Sequence, residues 1–300
     1  SAPNSFIVVF DSFIQEKKDL GMITGGTIAR YENIKTLLER FSKERSYSIN
    51  FNTINENFYV KWVNFSRQAL KHKNNTLGRN IGFIKTFMNW SLKKKYHFNY
   101  EFKDFKKTSS DTDEIALSVE ELEHLYNFDF SQKLRLEKVR DVFVFGCATG
   151  LRYSDYSRIN KTNIRNGQIF INTQKQKSKL GVPSNKYSRN ILEKYEYDLP
   201  VISPQKFREY IKEAWELAGM DDTVVKTSFI GNKRIEDHIK RHDMISTHTA
   251  RRTFITISLE KGMRPDIVMS ITGHKSYSSF KKYIKLSDKV REQEMANAWK

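Results

Sequence analysis

Apolar residues recur along the first hundred positions at helical intervals. Tyr31, Ile34, Leu38 and Phe41 are spaced three, four and three apart, and Leu77, Ile81, Ile84 and Met88 repeat the rhythm. Each set lines one face of a helix, so about four helices are expected before residue 100, packed as a small bundle. "TGG" at 24–26 separates the first two. "TINE", with Thr53 and Glu56 three apart, predicts a capping box that opens a later one.

The pattern changes after residue 105. "KKTSSDTDE", residues 106–114, lacks large apolar side chains and passes from basic to acidic, as an exposed linker does. "SVEE" then predicts a second capping box, Ser118 with Glu121, at the start of a new helix. The next helix carries "VFVFGCA" and is expected to stop at Gly150. In "NGQIFINT" the period drops to two: Asn166-Gly167 is a hairpin-turn signal, and Ile169 and Ile171 alternate as in a half-buried strand. A lysine-rich turn, "KQKSKLG", precedes Val182-Pro183. Beyond it the chain reads as helical, with Ser203-Pro204 and Arg264-Pro265 as helix starts and Gly262 and Gly273 as helix ends. No internal repeat is visible.

The expected fold is therefore mainly α with a small antiparallel β-sheet, in two domains. A helical domain spans 1–107, a second domain 108–285, and an amphipathic tail 286–300 carries Val290, Met295 and Trp299 on one side. An apolar fraction of 38%, with 21 Phe and 14 Tyr, suffices for a real core.

Charge narrows the function. Lys and Arg outnumber Asp and Glu by 52 to 35, and the excess of +17 points first to nucleic acid and only secondarily to a membrane surface. No apolar run approaches the roughly 20 residues needed to span a bilayer, and "SFIVVF" lacks the flanks of a signal peptide, so an intracellular, membrane-free protein is expected. The excess is concentrated: residues 61–107 carry 12 basic against 2 acidic side chains. Arg67, Lys71 and Lys73 in "RQALKHKNN", Arg79, and Lys93, Lys94 and Lys95 in "SLKKKY" are the candidates for DNA contact on helices near a groove. A solvated basic face is the alternative. The single cysteine, Cys147, can form neither an internal disulfide nor a zinc site, and is expected in the core.

Three stretches carry candidate chemistry. In "STHTARRTF", His248 and Arg251 share one helix face, with Ser246 or Thr247 capping the start. Taken alone the pair reads as a solvated surface feature. In "TGLRYSD", Arg152 follows a glycine that ends an apolar helix, where a side chain can face a cleft. Its plainer reading is a surface salt bridge to Asp155. Two arginines suit a phosphodiester, because each planar guanidinium grips two oxygens and keeps its charge, while a lysine in the hairpin turn could supply a movable proton. In "TGHKSYSSFKKYIKL", His274 follows a glycine and Tyr283 lies nine residues on, in a short helix begun by Ser276 or Ser278. By itself Tyr283 reads as a core aromatic.

Taken together, "TGLRYSD", the strand and lysine turn before "VP", "HTARRTF", "GHKS" and the later tyrosine resemble the tyrosine recombinase, or phage integrase, family in order and spacing. The resemblance is strong over about residues 116–286 and is greatest to integrases of conjugative and mobilisable elements. It implies a catalytic domain preceded by a core-site-binding domain. It places the family's active site at Arg152, Lys175, His248, Arg251, His274 and Tyr283, with Lys177 replacing Lys175 if the hairpin turn is shorter, and Asp155 bracing Arg152. It also implies attack by Tyr283 on the scissile phosphate, a 3′-phosphotyrosine and a free 5′-hydroxyl, without cofactor or metal.

The resemblance further implies double-stranded DNA as partner, a homo-tetramer on paired sites with the tail between protomers, and accessory DNA-bending proteins. Such integrases commonly add an arm-binding domain at the N-terminus. None is visible here, as expected of a chain that begins inside a longer protein. A type IB topoisomerase-like enzyme and a catalytically silent DNA-binding regulator are the rival readings.

Overall fold

The computed structural model describes residues 5–173, 179–284 and 288–299. Lys175 and Lys177 lie outside the described residues. The chain divides into two compact units, Ser1–Thr112 with Thr227–Asp237, and Asp113–Lys226 with His238–Lys300.

The first unit is built on α1 (Phe6–Asp19), α2 (Gly25–Glu44), α3 (Glu56–Gln68) and α4 (Asn74–Lys93). The helical periodicity produces its core: Tyr31, Ile34, Leu38 and Phe41 on α2, and Leu77, Ile81, Ile84 and Met88 on α4, are all buried. Aromatic edges knit the helices together, with Phe10 and Phe87 centroids 4.2 Å apart and Phe13 edge-on to Tyr31 at 4.9 Å. Thr24 caps α2 through the Thr27 N–H, so both glycines of "TGG" open that helix. The expected capping box at Thr53 does not form. Asn55, one residue before α3, accepts from the Phe58 N–H instead, while the Thr53 hydroxyl donates to the Ser48 carbonyl in the preceding loop. An asparagine next to the first helical residue outcompetes a threonine two positions further out.

The second unit begins with α5 (Val119–Asn127), opened by the full Ser118–Glu121 capping box. It continues through α6 (Leu134–Thr149), α7 (Tyr153–Tyr156) and a three-stranded sheet, β1 (Ile164–Arg165), β2 (Gln168–Asn172) and β3 (Lys179–Pro183). From Val139 to Thr149 every residue of α6 is buried, as befits a helix apolar on all sides. The sheet is antiparallel in sequential order, with Ile169 opposite Val182. Asn166 and Gly167 both take positive φ, 50° and 72°, at the predicted turn. Cys147 is buried among α6 core residues.

There follow α8 (Lys186–Lys194), α9 (Pro204–Leu217), β4 (Thr223–Ile230), β5 (Lys233–Lys240), α10 (Arg241–Met244), α11 (Thr247–Glu260), α12 (Pro265–Thr272), α13 (Tyr277–Ile284) and α14 (Asp288–Ala298). The β4–β5 hairpin corrects the expectation that this region is wholly helical. In β5 half-buried and exposed positions alternate, but Asp237 takes the inward place between Ile235 and Ile239, and β4 sets polar residues among its half-buried positions, so no apolar alternation marks the strands in the sequence. In the tail, Val290 packs on the apolar cluster of α11 and α13, whereas Met295 and Trp299 are exposed. Among the described residues no helix is long and apolar enough to cross a membrane.

Candidate active site

Local sequence rules bring four separate stretches of the second unit to one place. Gly150 ends α6 in the left-handed region at φ 66°, and the turn it makes delivers Arg152 to the N-cap of α7. A Cβ at Gly150 would lie 2.4 Å from the Phe254 ring, so only glycine permits this approach of α6 to α11. Ser246 caps α11 and accepts from the His248 N–H, which sets His248 and Arg251 on the helix's first turns. Gly273, also left-handed, ends α12 and releases His274. Tyr277–Ile284 then forms the helix that carries Tyr283.

Arg251 is 1% exposed, which rules out a solvated surface pair with His248. Its Nη1 donates to the Gly150 carbonyl at 3.0 Å, and its Nη2 lies 3.2 Å from His274 Nδ1 and 3.3 Å from Nε2. A guanidinium can only donate, so at least one nitrogen of that imidazole holds a lone pair and the ring is neutral. The buried Thr272 hydroxyl, 2.7 Å from His274 Nδ1, also steadies the ring. Sequence reasoning passed over Thr272, whose only signal is its place two residues before the histidine.

Tyr283 belongs both to the core and to this cluster. Its ring is buried with Phe280 and Phe254, while its hydroxyl lies 3.0 Å from His248 Nε2. Both groups of this contact come from the same chain.

Electrostatics prepare the histidines for this contact. Burial, then Arg252, Arg251, Lys282 and Arg152, push the His248 pKa down to about 3. Burial, then Arg251 and Arg152, bring His274 to about 3 as well. Both rings are therefore neutral near pH 7, and each carries a lone pair on one nitrogen. Burial, followed by Arg152, lowers Arg251 to about 10, still charged at neutral pH, with Tyr283 and Asp155 acting in the opposite sense.

Two buried donors here, Arg152 Nη1 and Arg251 Nε, have no hydrogen-bond partner among the described residues. Unused charged donors beside a hydroxyl and a neutral base suit an incoming anion with several oxygens. Asp155 is 8% exposed, so the plainer reading of Arg152, a salt bridge to Asp155 at the surface, does not hold. Its N–H donates to the Arg152 carbonyl at 2.8 Å. Arg152, His248, Arg251, His274 and Tyr283 are thereby brought together, and the lysine position falls on residues outside the description. Among the described residues no group of three His, Cys, Asp or Glu could hold a metal.

The candidate DNA-contacting cations fall in two places in the first unit. Arg67, Lys71, Lys73 and Arg79 cluster near the N-terminal end of α4, and Lys93, Lys94 and Lys95 at its C-terminal end. A helix of 20 residues sets these ends roughly 30 Å apart. Lys73 pairs with Asp237 at 3.5 Å and Lys94 with Glu16 at 2.9 Å. Arg67 is half-buried, and the others are exposed.

The profile of the phage integrase family matches residues 116–289, and that of the phage integrase SAM-like domain matches residues 5–109. The fold is similar to that of a lambda integrase dimer bound to a COC′ core site, at TM-score 0.71 and 14% identity over 95% of this chain and 96% of that one. It is also similar to the integrase of the Tn1549 transposon in complex with transposon right end DNA, at TM-score 0.67 and 14% identity over 99% and 100%. A lambda integrase tetramer bound to a Holliday junction gives TM-score 0.65 and 13% identity over 92% and 79%. No curated protein matches the chain.

Proposed function

The chain belongs to the phage integrase family of tyrosine recombinases, and from that premise we propose that it is a site-specific DNA recombinase acting on a mobile element. One observation carries the reading: the Tyr283 hydroxyl sits 3.0 Å from His248 Nε2, beside two arginines with unused buried donors.

In the proposed reaction the Tyr283 oxygen attacks the scissile phosphorus in line, and its proton passes to His248. The bond to the 5′-oxygen breaks, leaving a 3′-phosphotyrosine and a 5′-hydroxyl. Lys175, or Lys177, gives the leaving oxygen its proton. Arg152 and Arg251 neutralise the charge that accumulates on the non-bridging oxygens, and each well-placed donor of this kind is worth about 3–4 kcal/mol. His274, neutral and anchored by Thr272, adds a further contact to the phosphate. Asp155 braces Arg152. A second 5′-hydroxyl attacking the phosphotyrosine reverses the steps, so the energy of the phosphodiester is kept and no external energy source is needed.

DNA binding is assigned to the exposed cations of the first unit, residues 1–107 in the proposed domain division, and to the site itself in the catalytic domain. Phosphate contacts of this sort weaken steeply with salt. The similarity to DNA-bound integrase dimers and tetramers supports a homo-tetramer on paired sites, and the tail from residue 286 is assigned to the contact between protomers by the family resemblance alone.

The test is covalent trapping on a nicked suicide duplex. Wild type should form an adduct at Tyr283, and Tyr283→Phe should form none while still binding DNA. An adduct that persists in Tyr283→Phe would refute the assigned nucleophile. No adduct with wild type would leave a silent DNA-binding regulator, and an adduct with relaxation but no strand exchange would leave a topoisomerase.

A further inference from the structure

Two cations flank the proposed chemistry without belonging to it. Arg252 follows Arg251 on α11, and Lys282 precedes Tyr283 on α13. One carboxylate reaches both: Glu114 Oε1 lies 2.5 Å from Arg252 Nη2, and Glu114 Oε2 lies 3.8 Å from Lys282 Nζ. The side chains are 22% exposed for Glu114, 12% for Arg252 and 51% for Lys282. The first contact is therefore shielded and firm, and the second is a looser tether open to water.

Glu114 belongs to the extended segment that leads into α5. Three residues on, the Leu117 N–H donates to Thr253 Oγ1 at 3.0 Å, with both residues buried. The segment is thus fixed to α11 at two consecutive residues, Arg252 and Thr253. Helix α13 is held more lightly. It buries Phe280 and Tyr283, its residues Tyr277–Ser279 and Lys281–Lys282 are exposed, and its polar ties outside itself include Tyr283 to His248 and Lys282 to Glu114.

We propose that Glu114 is a positioning residue for the nucleophile. Anchored on Arg252, it holds Lys282 and with it the helix that aims the Tyr283 hydroxyl at His248. The carboxylate also places a negative charge between two cations that would otherwise act unopposed on the site. Arg252 and Lys282 are both among the charges that depress the basicity of His248. A helix of eight residues with two buried side chains has little else to fix its register, and a displacement of about 1 Å at a reacting atom can cost about 100-fold in rate.

The proposal rests on Tyr283 as nucleophile, and two readouts keep the questions apart. Single-turnover cleavage of the suicide duplex at saturating protein should slow about three- to tenfold in Glu114→Gln, while DNA affinity stays level or tightens with the loss of a negative charge. Lys282→Met should slow cleavage similarly, and the double variant should be no slower than Lys282→Met alone. Hydrogen exchange of the α13 amides, measured on the protein without DNA, should rise in Glu114→Gln and fall back toward wild type in Glu114→Asp.

A cleavage rate within twofold of wild type in Glu114→Gln, or effects of the two variants that multiply, would overturn the proposal. So would unchanged α13 exchange. If wild type forms no adduct, the recombinase reading fails, and the exchange measurement alone decides whether Glu114 holds α13.

Discussion

The depressed basicity of His248 predicts an acid instability that can be worked out in advance. An ordinary histidine titrates at 6.5, and this one is held at about 3 by burial and by Arg252, Arg251, Lys282 and Arg152. The folded-state value lies below the unfolded one, so below pH 6.5 the unfolded chain takes up a proton that the folded chain refuses. Stability from this group is fully present above pH 6.5, falls as the pH drops below it, and stops falling near pH 3. At pH 5 the loss is RT ln(1 + 10^1.5), about 2 kcal/mol, and it depends hardly at all on the folded value while that value stays well under 5. His248 is partly solvent-accessible, and screening reduces the figure to about 1–2 kcal/mol.

The assay is urea denaturation at pH 7.5 and 5.0, read by pulsed hydrogen exchange on peptides of α6 and α11, so that the catalytic unit is followed by itself. His72 and His97, also pushed down by burial, act in the same direction in the other unit, which is a further reason for a local probe. His248→Asn should lose about 1–2 kcal/mol less than wild type between the two pH values. Equal losses in the two proteins would refute the electrostatic account of the site.

Two substitutions test other parts of the reasoning. Arg251→Lys keeps the charge but cannot reach the Gly150 carbonyl, His274 and a phosphate together, so cleavage should fall at least about 100-fold with the protein still folded; a loss under tenfold in the single-turnover assay would show that charge alone suffices. Gly150→Ala forces a Cβ to 2.4 Å from the Phe254 ring at positive φ and should destabilise the catalytic unit by about 2–4 kcal/mol in the same urea assay; an unchanged midpoint would mean that α6 and α11 are free to separate.

What was legible in the sequence was whatever is decided within a few residues. The Ser118–Glu121 box, the Asn166-Gly167 turn, Ser203-Pro204 and the left-handed Gly150 and Gly273 all form as expected, because caps and turns answer to backbone groups one to four positions away. The β4–β5 hairpin escapes the sequence because polar residues such as Asp237 take inward positions on its strands, so burial alternates without an apolar alternation. Thr53 was misread because two residues competed for one cap. At the site, the spacing of His248 and Arg251 marked a shared helix face, yet their burial was invisible. It depends on α6, α12 and α13 closing around α11, which is a property of tertiary packing. The choice between core and site for Tyr283 has no local answer, since its ring is buried while its hydroxyl meets His248.

Two buried arginines of the catalytic unit separate a structural role from a functional one. Arg140, 6% exposed, is fully answered: its Nε donates to Asp141 at 2.6 Å and its Nη1 to the carbonyls of Leu125 and Phe128 at 3.0 and 2.9 Å. Arg251 is more deeply buried, donates to the Gly150 carbonyl and approaches the His274 ring, and keeps one buried donor, Nε, without a partner among the described residues. Arg152, close enough to lower the Arg251 pKa, keeps another. Burying charge this way opposes folding unless an anion arrives. The fold carries that strain on α6 and α11, both largely buried, and in the proposed reaction the same charge is what a phosphodiester would meet. An oxyanion such as vanadate should therefore stabilise the catalytic unit of wild type at neutral pH. It should do so far less in Arg251→Lys, whose single ammonium cannot replace the forked donor; equal stabilisation of both would mean that the unmet donors are not what the anion meets.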